Sequence, residues 1–217
     1  MVDNGSTDGS VEWLKEHQID TIFLPGNTGF SGAVNVGIKA ADTPYVLLLN
    51  NDVRVDEYFV AEMVRAIGQS ERIFSVSSRM IQMYHPDLMD DAGDMYSVLG
   101  WAFQRGVGRP EKLYKKSCRV FTACAGAAIY RREVFETIGY FDEMHFAYLE
   151  DIDVGYRAKL YGYDNVFCPE AVVYHVGSGT SGSKYNSFKV KLAARNNVYL
   201  NCLLYTSPSP RDLSTSR

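Results

Sequence analysis

The sequence predicts an α/β fold in which a mostly parallel sheet is flanked by helices. Residues 45–49, YVLLL, form an unbroken apolar run, which is typical of a strand covered on both faces. Apolar side chains at positions 59, 60, 63, 64 and 67 then repeat with the spacing of an amphipathic helix that Gly68 ends. Strand-like and helix-like segments alternate along the chain, which favours parallel strands joined by right-handed crossovers.

The remaining elements are predicted in order from the same signals. Capping residues before an apolar period and glycine after it predict helices, at residues 8–17, 32–41, 57–67, 132–138, 151–161 and 189–200. Short apolar runs that end in turn residues predict strands, at residues 21–24, 45–49, 74–81, 121–130 and 171–175. Residues 82–118 have weak periodicity, so we interpret them as a long excursion outside the core.

Composition places the chain among ordinary globular proteins. Its 217 residues, 46% of them hydrophobic, are enough for one α/β domain. Lys and Arg number 22 against 26 Asp and Glu, and the net charge of −4 argues against a nucleic-acid partner. Four scattered cysteines without a C-x-x-C pair predict reduced thiols and a cytoplasmic setting.

The two ends of the sequence differ from the rest. We predict one folded domain over residues 1–205, in which Met1 and Val2 end a strand whose beginning is missing. Residues 206–217, TSPSPRDLSTSR, contain six Ser or Thr and two Pro and have no helical or strand period. We expect this segment to be an artefactual or disordered tail.

Four loops are candidates for a ligand site, because ligands bind at the carboxyl ends of strands in open parallel sheets. They are residues 3–8, 25–32 and 50–53 and the segment after His175, each rich in Asp, Asn, Gly or Ser. A helix N-terminus offers N–H groups to anions, and Asn50, Asn51 and Asp52 offer oxygen ligands to a hard divalent cation. Capped turns and an Asx turn are the structural alternatives.

Five motifs in these regions carry a resemblance to a known family. In order they are VDNGSTDGS, NTGFSGAVNVGI, LLLNNDV, GAAIYRREVFETIGYFDE and EDIDVGYRAKLYG. The series resembles family 2 glycosyltransferases, especially the bacterial rhamnosyltransferase-like branch, over about residues 1 to 200. The family pattern begins earlier than Met1, with a first strand and helix that complete the nucleotide pocket. The resemblance implies a GT-A fold with a Rossmann-like sheet that binds a nucleotide-diphosphate sugar together with Mg²⁺ or Mn²⁺.

The resemblance also implies roles for the residues of the first three loops. Asn50, Asn51 and Asp52 correspond to the family's D-x-D, so Asp52 is the expected carboxylate ligand of the metal. Asp3 with Asn4 is expected to contact the nucleobase or ribose, and other residues are expected to shape the donor pocket. The donor-binding set is Asp3, Asn4, Asn27, Gly29, Phe30, Asn35, Asn50 and Asn51.

The acidic motif Glu150-Asp151-x-Asp153 is the second candidate site. The family's ED motif implies that Asp151 is the general base and that Glu150 hydrogen-bonds acceptor hydroxyls. A position at a helix N-terminus favours an ionised carboxylate, through the helix dipole. Asp153 lies four residues before Arg157, which predicts a salt bridge along the helix. A helix capped by acids is the structural alternative for the whole motif.

His175 and the C-terminal basic residues complete the candidates. In related sugar transferases a His at this place coordinates the metal or contacts the diphosphate, and imidazole suits Mn²⁺ better than Mg²⁺; a structural role for His175 is the alternative. The basic residues predict attraction to a diphosphate or to a phosphorylated lipid at the inner face of the cell membrane, unless they form a solvated helix face. They are Lys184, Lys189, Lys191 and Arg195.

The resulting hypothesis is an inverting, metal-dependent glycosyltransferase of cell-surface polysaccharide synthesis. Its donor is expected to be a dTDP- or UDP-sugar, with dTDP-rhamnose favoured, and its acceptor a glycan or a polyprenyl-diphosphate-linked sugar. Two alternatives stay open at this point. One is a nucleotidyltransferase, and the other is a truncated sugar-nucleotide binding domain without turnover, which Asn50 in place of an acid favours.

Overall fold

The structure is a computed structural model that describes residues 1–97, 99–177 and 186–204. The predicted tail and Lys184 lie outside these residues. In chain order the strands are β1 (Val2–Asp3), β2 (Ile22–Phe23), β3 (Tyr45–Leu49), β4 (Val53–Val55), β5 (Ile73–Gln82), β6 (His85–Asp91), β7 (Asp94–Tyr96), β8 (Ala102–Gln104), β9 (Cys118–Val120), β10 (Ala127–Arg131) and β11 (Asp164–His175). The α-helices are α1 (Ser10–Glu16), α2 (Gly29–Ala40), α3 (Phe59–Ile67), α4 (Val134–Ile138), α5 (Glu150–Leu160) and α6 (Ser187–Leu204).

The central sheet has the order β3-β10-β5-β11-β4, with β6 added beside β5 and β9 beside β11. β5 and β11 run parallel, whereas β10 is antiparallel to both β3 and β5, and β4 is antiparallel to β11. β3, β5 and β11 therefore run in one direction, and their carboxyl ends meet at one edge. This arrangement confirms the predicted α/β fold, with β10, β4, β6 and β9 running against β3, β5 and β11 in the same sheet.

Apolar side chains cover both faces of this sheet, as the unbroken run of residues 45–49 predicted. One face packs Phe74 and Tyr130 against Phe135 of α4, and the other packs Val76 against Met63 of α3. The ring centroids of Phe74 and Phe135 are 5.2 Å apart at an interplanar angle of 74°, which is an edge-to-face contact. The two layers of helices leave the loops at the carboxyl edge as the place for polar chemistry.

The expectation that residues 82–118 lie outside the core is wrong for part of that segment. β6 pairs with β5, and the side chains of Met89, Asp91 and Ala92 are fully buried. Acidic and glycine residues interrupt the apolar pattern of this segment, so the sequence does not reveal that it is buried. Their polar groups are satisfied by hydrogen bonds within the protein; for instance, the Gly93 N–H donates to Asp91 Oδ1 at 2.6 Å. Buried acids thus lie beside the carboxyl edge of the sheet.

The length and polarity of the helices bear on membrane insertion. Over residues 1–97, 99–177 and 186–204, none of the helices combines the length and the apolar character that crossing a bilayer requires.

Candidate active site

The loop after β3 and the end of β11 meet, as the common direction of these strands requires. Asp52 Oδ1 lies 3.2 Å from His175 Nε2, and the other ring nitrogen, Nδ1, lies 2.6 Å from Asp90 Oδ2. β4 fixes this approach, because its first residue, Val53, pairs with His175. The two residues predicted as metal ligands are therefore neighbours, although they are far apart in the sequence.

The contacts of His175 fit a metal-binding imidazole. Histidine ligands of metals usually place their second ring nitrogen against a carboxylate, which sets the tautomer and the ring orientation. Asp90 makes that contact here, so Nε2 faces Asp52, and its hydrogen bond is the largest cause that raises the pKa of His175. One carboxylate oxygen and one imidazole nitrogen form a donor set that suits Mn²⁺ better than Mg²⁺.

A short stretch of chain links this pair to the acidic motif on α5. The backbone N–H of Asn50 donates to the carbonyl of Gly126 at 2.9 Å. Ala125 precedes Gly126 in the chain, and its backbone N–H donates to Asp151 Oδ2 at 3.3 Å. A Cβ atom at Gly126 would lie 3.2 Å from the Asn50 side-chain nitrogen, so this strand entry runs close to Asn50. The predicted D-x-D region and the predicted base thus border the same backbone segment.

Asp151 is held in place from several directions. Its Oδ1 accepts the N–H of Ile152 at 2.8 Å, and the Thr122 hydroxyl donates to its backbone carbonyl at 2.7 Å. α5 approaches closely enough that a Cβ atom at Gly155 would lie 2.0 Å from Thr122 Oγ1. Burial raises the pKa of Asp151, so desolvation outweighs the stabilisation that the helix N-terminus was expected to give to the anion.

Glu150 has a different environment from its neighbour. Burial, followed by the charge of Asp151, raises the pKa of Glu150 to about 8, so this carboxyl is largely neutral at pH 7. Its Oε2 atom is buried and has no hydrogen-bond partner among the described residues. A neutral carboxyl with an unused oxygen can donate a hydrogen bond to a hydroxyl group.

Two further buried acids adjoin the base, and the sequence analysis missed both. The carboxyl of Asp94 adjoins those of Asp91 and Asp151, and one side-chain atom from each of Asp91, Asp94 and Cys124 lies within 4.8 Å of the other two. Asp90, the partner of His175, was missed as well. All three acids belong to residues 90–94, DDAGD, whose density of acids in a stretch without surface periodicity was the available signal.

The two loops predicted to bind the donor contact each other. The side chain of Asn4 donates to the carbonyl of Gly29 at 2.9 Å and accepts the N–H of Thr28 at 2.9 Å. Asp3 Oδ2 accepts the N–H groups of Gly5 and Ser6, at 3.2 and 3.1 Å. Asn4 therefore shapes the second loop with its own amide. A direct contact of Asp3 or Asn4 with the donor stays a prediction.

The second loop also contacts the segment that leads into α5. Gly29 has φ of +79°, and a Cβ atom there would lie 2.6 Å from Phe146. The N–H of Phe30 donates to the Phe146 carbonyl at 2.6 Å.

Asn35 of α2 is buried, and its side-chain amide donates to the Phe141 carbonyl at 2.8 Å and accepts the Phe141 N–H at 3.0 Å. Asn35 thus joins α2 to this segment, and Asn27 accepts the Gly29 N–H at 2.9 Å within the loop.

The structure shows the contacts of two charged groups singled out in the sequence, the Asp153–Arg157 pair and Arg195. The salt bridge between Asp153 and Arg157 is confirmed, with 2.6 Å between Oδ2 and the guanidinium nitrogen. Arg195 donates to the backbone carbonyls of Met144 and His145, so its guanidinium supports the segment before α5. Asn51 and Lys191 are exposed.

The comparisons with known proteins identify the family of the chain. The family model described as "Glycosyl transferase family 2" matches residues 1–139. The chain belongs to this family.

Curated relatives of this glycosyltransferase chain act in glycan synthesis, by their names. An N-acetylglucosaminyl-diphospho-decaprenol L-rhamnosyltransferase of Mycobacterium tuberculosis is 29% identical, over 84% of this chain and 67% of its own length. The low-salt glycan biosynthesis hexosyltransferase Agl10 of Haloferax volcanii is 28% identical, over 73% of this chain and 52% of its own length.

Solved structures show the same fold at low sequence identity. GalNAc-T7, crystallised with UDP, GalNAc and Mn²⁺, aligns with a TM-score of 0.74 and 16% identity over 95% of this chain and 41% of its own. The mannosyltransferase PcManGT from Pyrobaculum calidifontis, crystallised with GDP-Man and Mn²⁺, aligns with a TM-score of 0.57 and 15% identity, over 83% of this chain and 48% of its own. These neighbours confirm the predicted GT-A fold.

Proposed function

We propose that this chain transfers a sugar, with inversion, from a nucleotide-diphosphate donor to an acceptor hydroxyl. The observation that carries the proposal is the position of Asp151, whose carboxylate is bound by the segment that also contacts Asn50, in a chain of glycosyl transferase family 2. The proposed proton acceptor and the candidate diphosphate site thus both adjoin the backbone of residues 125–126.

The donor side of the proposed site consists of Asp52, His175 and the two loops that Asn4 connects. Asp52 Oδ1 and His175 Nε2 would hold Mn²⁺ or Mg²⁺. When bound, such an ion supplies positive charge that stabilises a departing nucleoside diphosphate. Crystals of two structural neighbours contain Mn²⁺ together with UDP or GDP-Man, which supports a divalent cation here.

Residues of α5 form the acceptor side of the proposed site. In the proposed reaction the acceptor oxygen attacks the anomeric carbon while Asp151 accepts the hydroxyl proton. A new C–O bond forms as the bond between the anomeric carbon and the diphosphate oxygen breaks, and the diphosphate leaves with the electron pair. Glu150, largely neutral at pH 7, donates a hydrogen bond that orients an acceptor hydroxyl.

The favoured donor is dTDP-rhamnose and the favoured acceptor a polyprenyl-diphosphate-linked sugar. The name of the mycobacterial relative supports rhamnose as the transferred sugar and a polyprenyl-diphosphate-linked acceptor, and the UDP in the GalNAc-T7 crystal supports a UDP-sugar as the second donor to test. A lipid-linked acceptor would bring the chain to the inner face of the cell membrane as a peripheral protein.

The decisive variant is Asp151→Asn. We expect it to lower sugar transfer, measured as release of dTDP or UDP with Mn²⁺ present, by about 10²–10⁴-fold, because the base is lost. Its affinity for dTDP, measured calorimetrically, should stay near that of the wild type. NMR of the product with the active protein reports whether the anomeric configuration inverts.

The matched control is Asp42→Asn, which removes an exposed carboxylate remote from α5 in the sequence and should leave turnover unchanged. If Asp151→Asn keeps most of the wild-type rate, the assignment of the base is wrong. Wild-type protein that binds dTDP with Mn²⁺ but transfers no sugar would instead identify a binding domain without turnover.

A further inference from the structure

The acids next to the proposed base form a connected group around Asp94. The backbone of Asp94 donates to the Thr122 carbonyl at 2.9 Å, and Thr122 in turn binds the backbone of Asp151 through its hydroxyl. The carboxyl of Asp94 adjoins those of both Asp91 and Asp151, so that a proton on Asp94 can be donated to either. β7 and α5 are thus tied together at the point where the base lies.

A hydrogen bond between two carboxyl groups requires a proton on one of them. Asp91 and Asp94 are buried. Among the residues that the structure describes, no Lys, Arg or His forms an ion pair with Asp91, Asp94 or Asp151. Because adjacent buried anions without a cation repel each other and lose hydration, this group retains at least one proton at neutral pH.

The hydrogen-bond donors around the group indicate where the proton resides. Asp151 accepts two backbone N–H groups, those of Ala125 and Ile152, and Asp91 accepts the N–H of Gly93. Backbone donors favour the ionised form of the carboxyl that accepts them. Within the described part of the chain, Asp94 receives no such donor, and burial with its acidic neighbours raises its pKa well above the usual value.

We propose that Asp94 is a positioning residue: it keeps a proton between Asp91 and Asp151 and donates it in a hydrogen bond to the base. This role rests on the proposed function, since it assumes that Asp151 accepts the acceptor proton. The hydrogen bond orients the Asp151 carboxylate and keeps it anionic, so that the remaining lone pairs are available to the acceptor hydroxyl.

The proposal has a pH consequence that depends on every ionisable group near Asp94. Loss of its proton at alkaline pH would leave adjacent anions and remove the donor to Asp151, so turnover should fall. The ionisable neighbours are Asp91 of β6, Asp151 of α5, Cys124, and Tyr130 of β10, with Asp90 beside Asp91 and Glu150 beside Asp151.

Infrared spectroscopy tests the proton without needing an acceptor. The carbonyl band of protonated carboxyl groups is compared at neutral pH in the wild type, Asp94→Asn, Asp151→Asn and the control Asp42→Asn. Every protein in the comparison also carries Glu150→Gln, because the neutral Glu150 carboxyl depends on the charge of Asp151 and would otherwise contribute. The proposal requires that Asp94→Asn removes intensity equal to one carboxyl group, and that Asp151→Asn and the control preserve it. Equal intensity in Asp94→Asn and wild type, or loss in Asp151→Asn, would overturn it.

Kinetics test the positioning role. Asp94→Ala removes the donor, and we expect about 10–100-fold slower release of dTDP from dTDP-rhamnose, or of UDP from the UDP-sugar that the wild type uses. Asparagine keeps an N–H donor in the same place, so Asp94→Asn should be at least about tenfold faster than Asp94→Ala. Because Glu150 also loses its proton near pH 8, the alkaline decline is compared in proteins that all carry Glu150→Gln, and there it should be absent in Asp94→Asn.

A merely structural role predicts different results. It gives equal rates for Asp94→Asn and Asp94→Ala, or an unchanged alkaline decline in Asp94→Asn, and either result contradicts the proposal. If the wild type turns over no nucleotide sugar, the proposed function fails, and the infrared comparison still decides separately whether Asp94 carries the proton.

Discussion

At the scale of the residue, the sequence predicts which side chains carry chemistry better than it predicts their partners. Asp52 and His175 are neighbours, as their assignment to one metal site requires. The carboxylate behind His175 was not predicted, because Asp90 lies in a segment without a readable period. Similarly, nothing in the sequence indicates that the amide of Asn35 is taken up by the backbone of Phe141. Such contacts depend on distant chain segments and leave no local pattern.

The contact of Asp90 with His175 leads to a prediction about metal affinity. Asp90→Asn removes the carboxylate that orients the ring, and loss of such a partner weakens metal binding by about 10–100-fold. We expect this decrease in Mn²⁺ affinity, measured by electron paramagnetic resonance as free Mn²⁺ during a titration of the protein without nucleotide. Asp87→Asn, an exposed carboxylate of the same strand, is the control. Equal affinity in Asp90→Asn and wild type would exclude this orienting role.

At the scale of the element, α6 was predicted as a helix with a basic face, but its main contact is made by an amide. Asn196 is buried, and its side-chain nitrogen donates to the carbonyls of His145, Ala147 and Tyr148, at 2.8, 2.8 and 2.7 Å. The bound segment is unusual, since Phe146, Tyr148 and Leu149 all have positive φ. Helix periodicity reports which positions are apolar, so it could not reveal that one polar side chain holds the backbone before Asp151.

Removal of this amide should therefore affect both stability and turnover. Asn196→Ala leaves buried carbonyls without their donor, and we expect the free energy of unfolding to fall by about 1–3 kcal/mol. Sugar transfer should also decrease below the unfolding transition, because the segment leads directly into α5. Urea denaturation and the rate of dTDP or UDP release measure the two effects. Val198→Ala, at an exposed position of the same helix, should change neither. Unaltered stability of Asn196→Ala would contradict the role of the Asn196 amide in holding the segment before α5.

At the scale of the whole molecule, alternating strand and helix signals were enough for the fold class, whereas the strand order was not available. The apolar run at β3 predicts a strand buried on both faces, residues 74–81 predict another strand at β5, and both are in the sheet. β10 lies between them in the opposite direction, through pairings such as Ala127 with Leu49. That pairing joins two segments that α3, β5 and the long excursion separate in the chain. The direction of β10 depends on the path by which the chain re-enters the sheet after this excursion. The same return buries the acids of residues 90–94 beside α5.

These buried acids predict the pH dependence of stability for the whole domain. Burial raises the pKa of Glu150 from 4.5 to about 8 and that of Asp91 from 3.8 to about 7. The folded state therefore binds more protons than the unfolded state between about pH 4 and pH 8, and stability falls as the pH rises through this window. We expect the free energy of unfolding, measured with urea, to be at least about 1.4 kcal/mol lower near pH 8 than near pH 5, since one pKa unit corresponds to that amount. Glu150→Gln should flatten this decline, whereas Glu16→Gln, at an exposed position, should not. Stability that rises over the window would mean that these carboxyls are ionised in the folded protein.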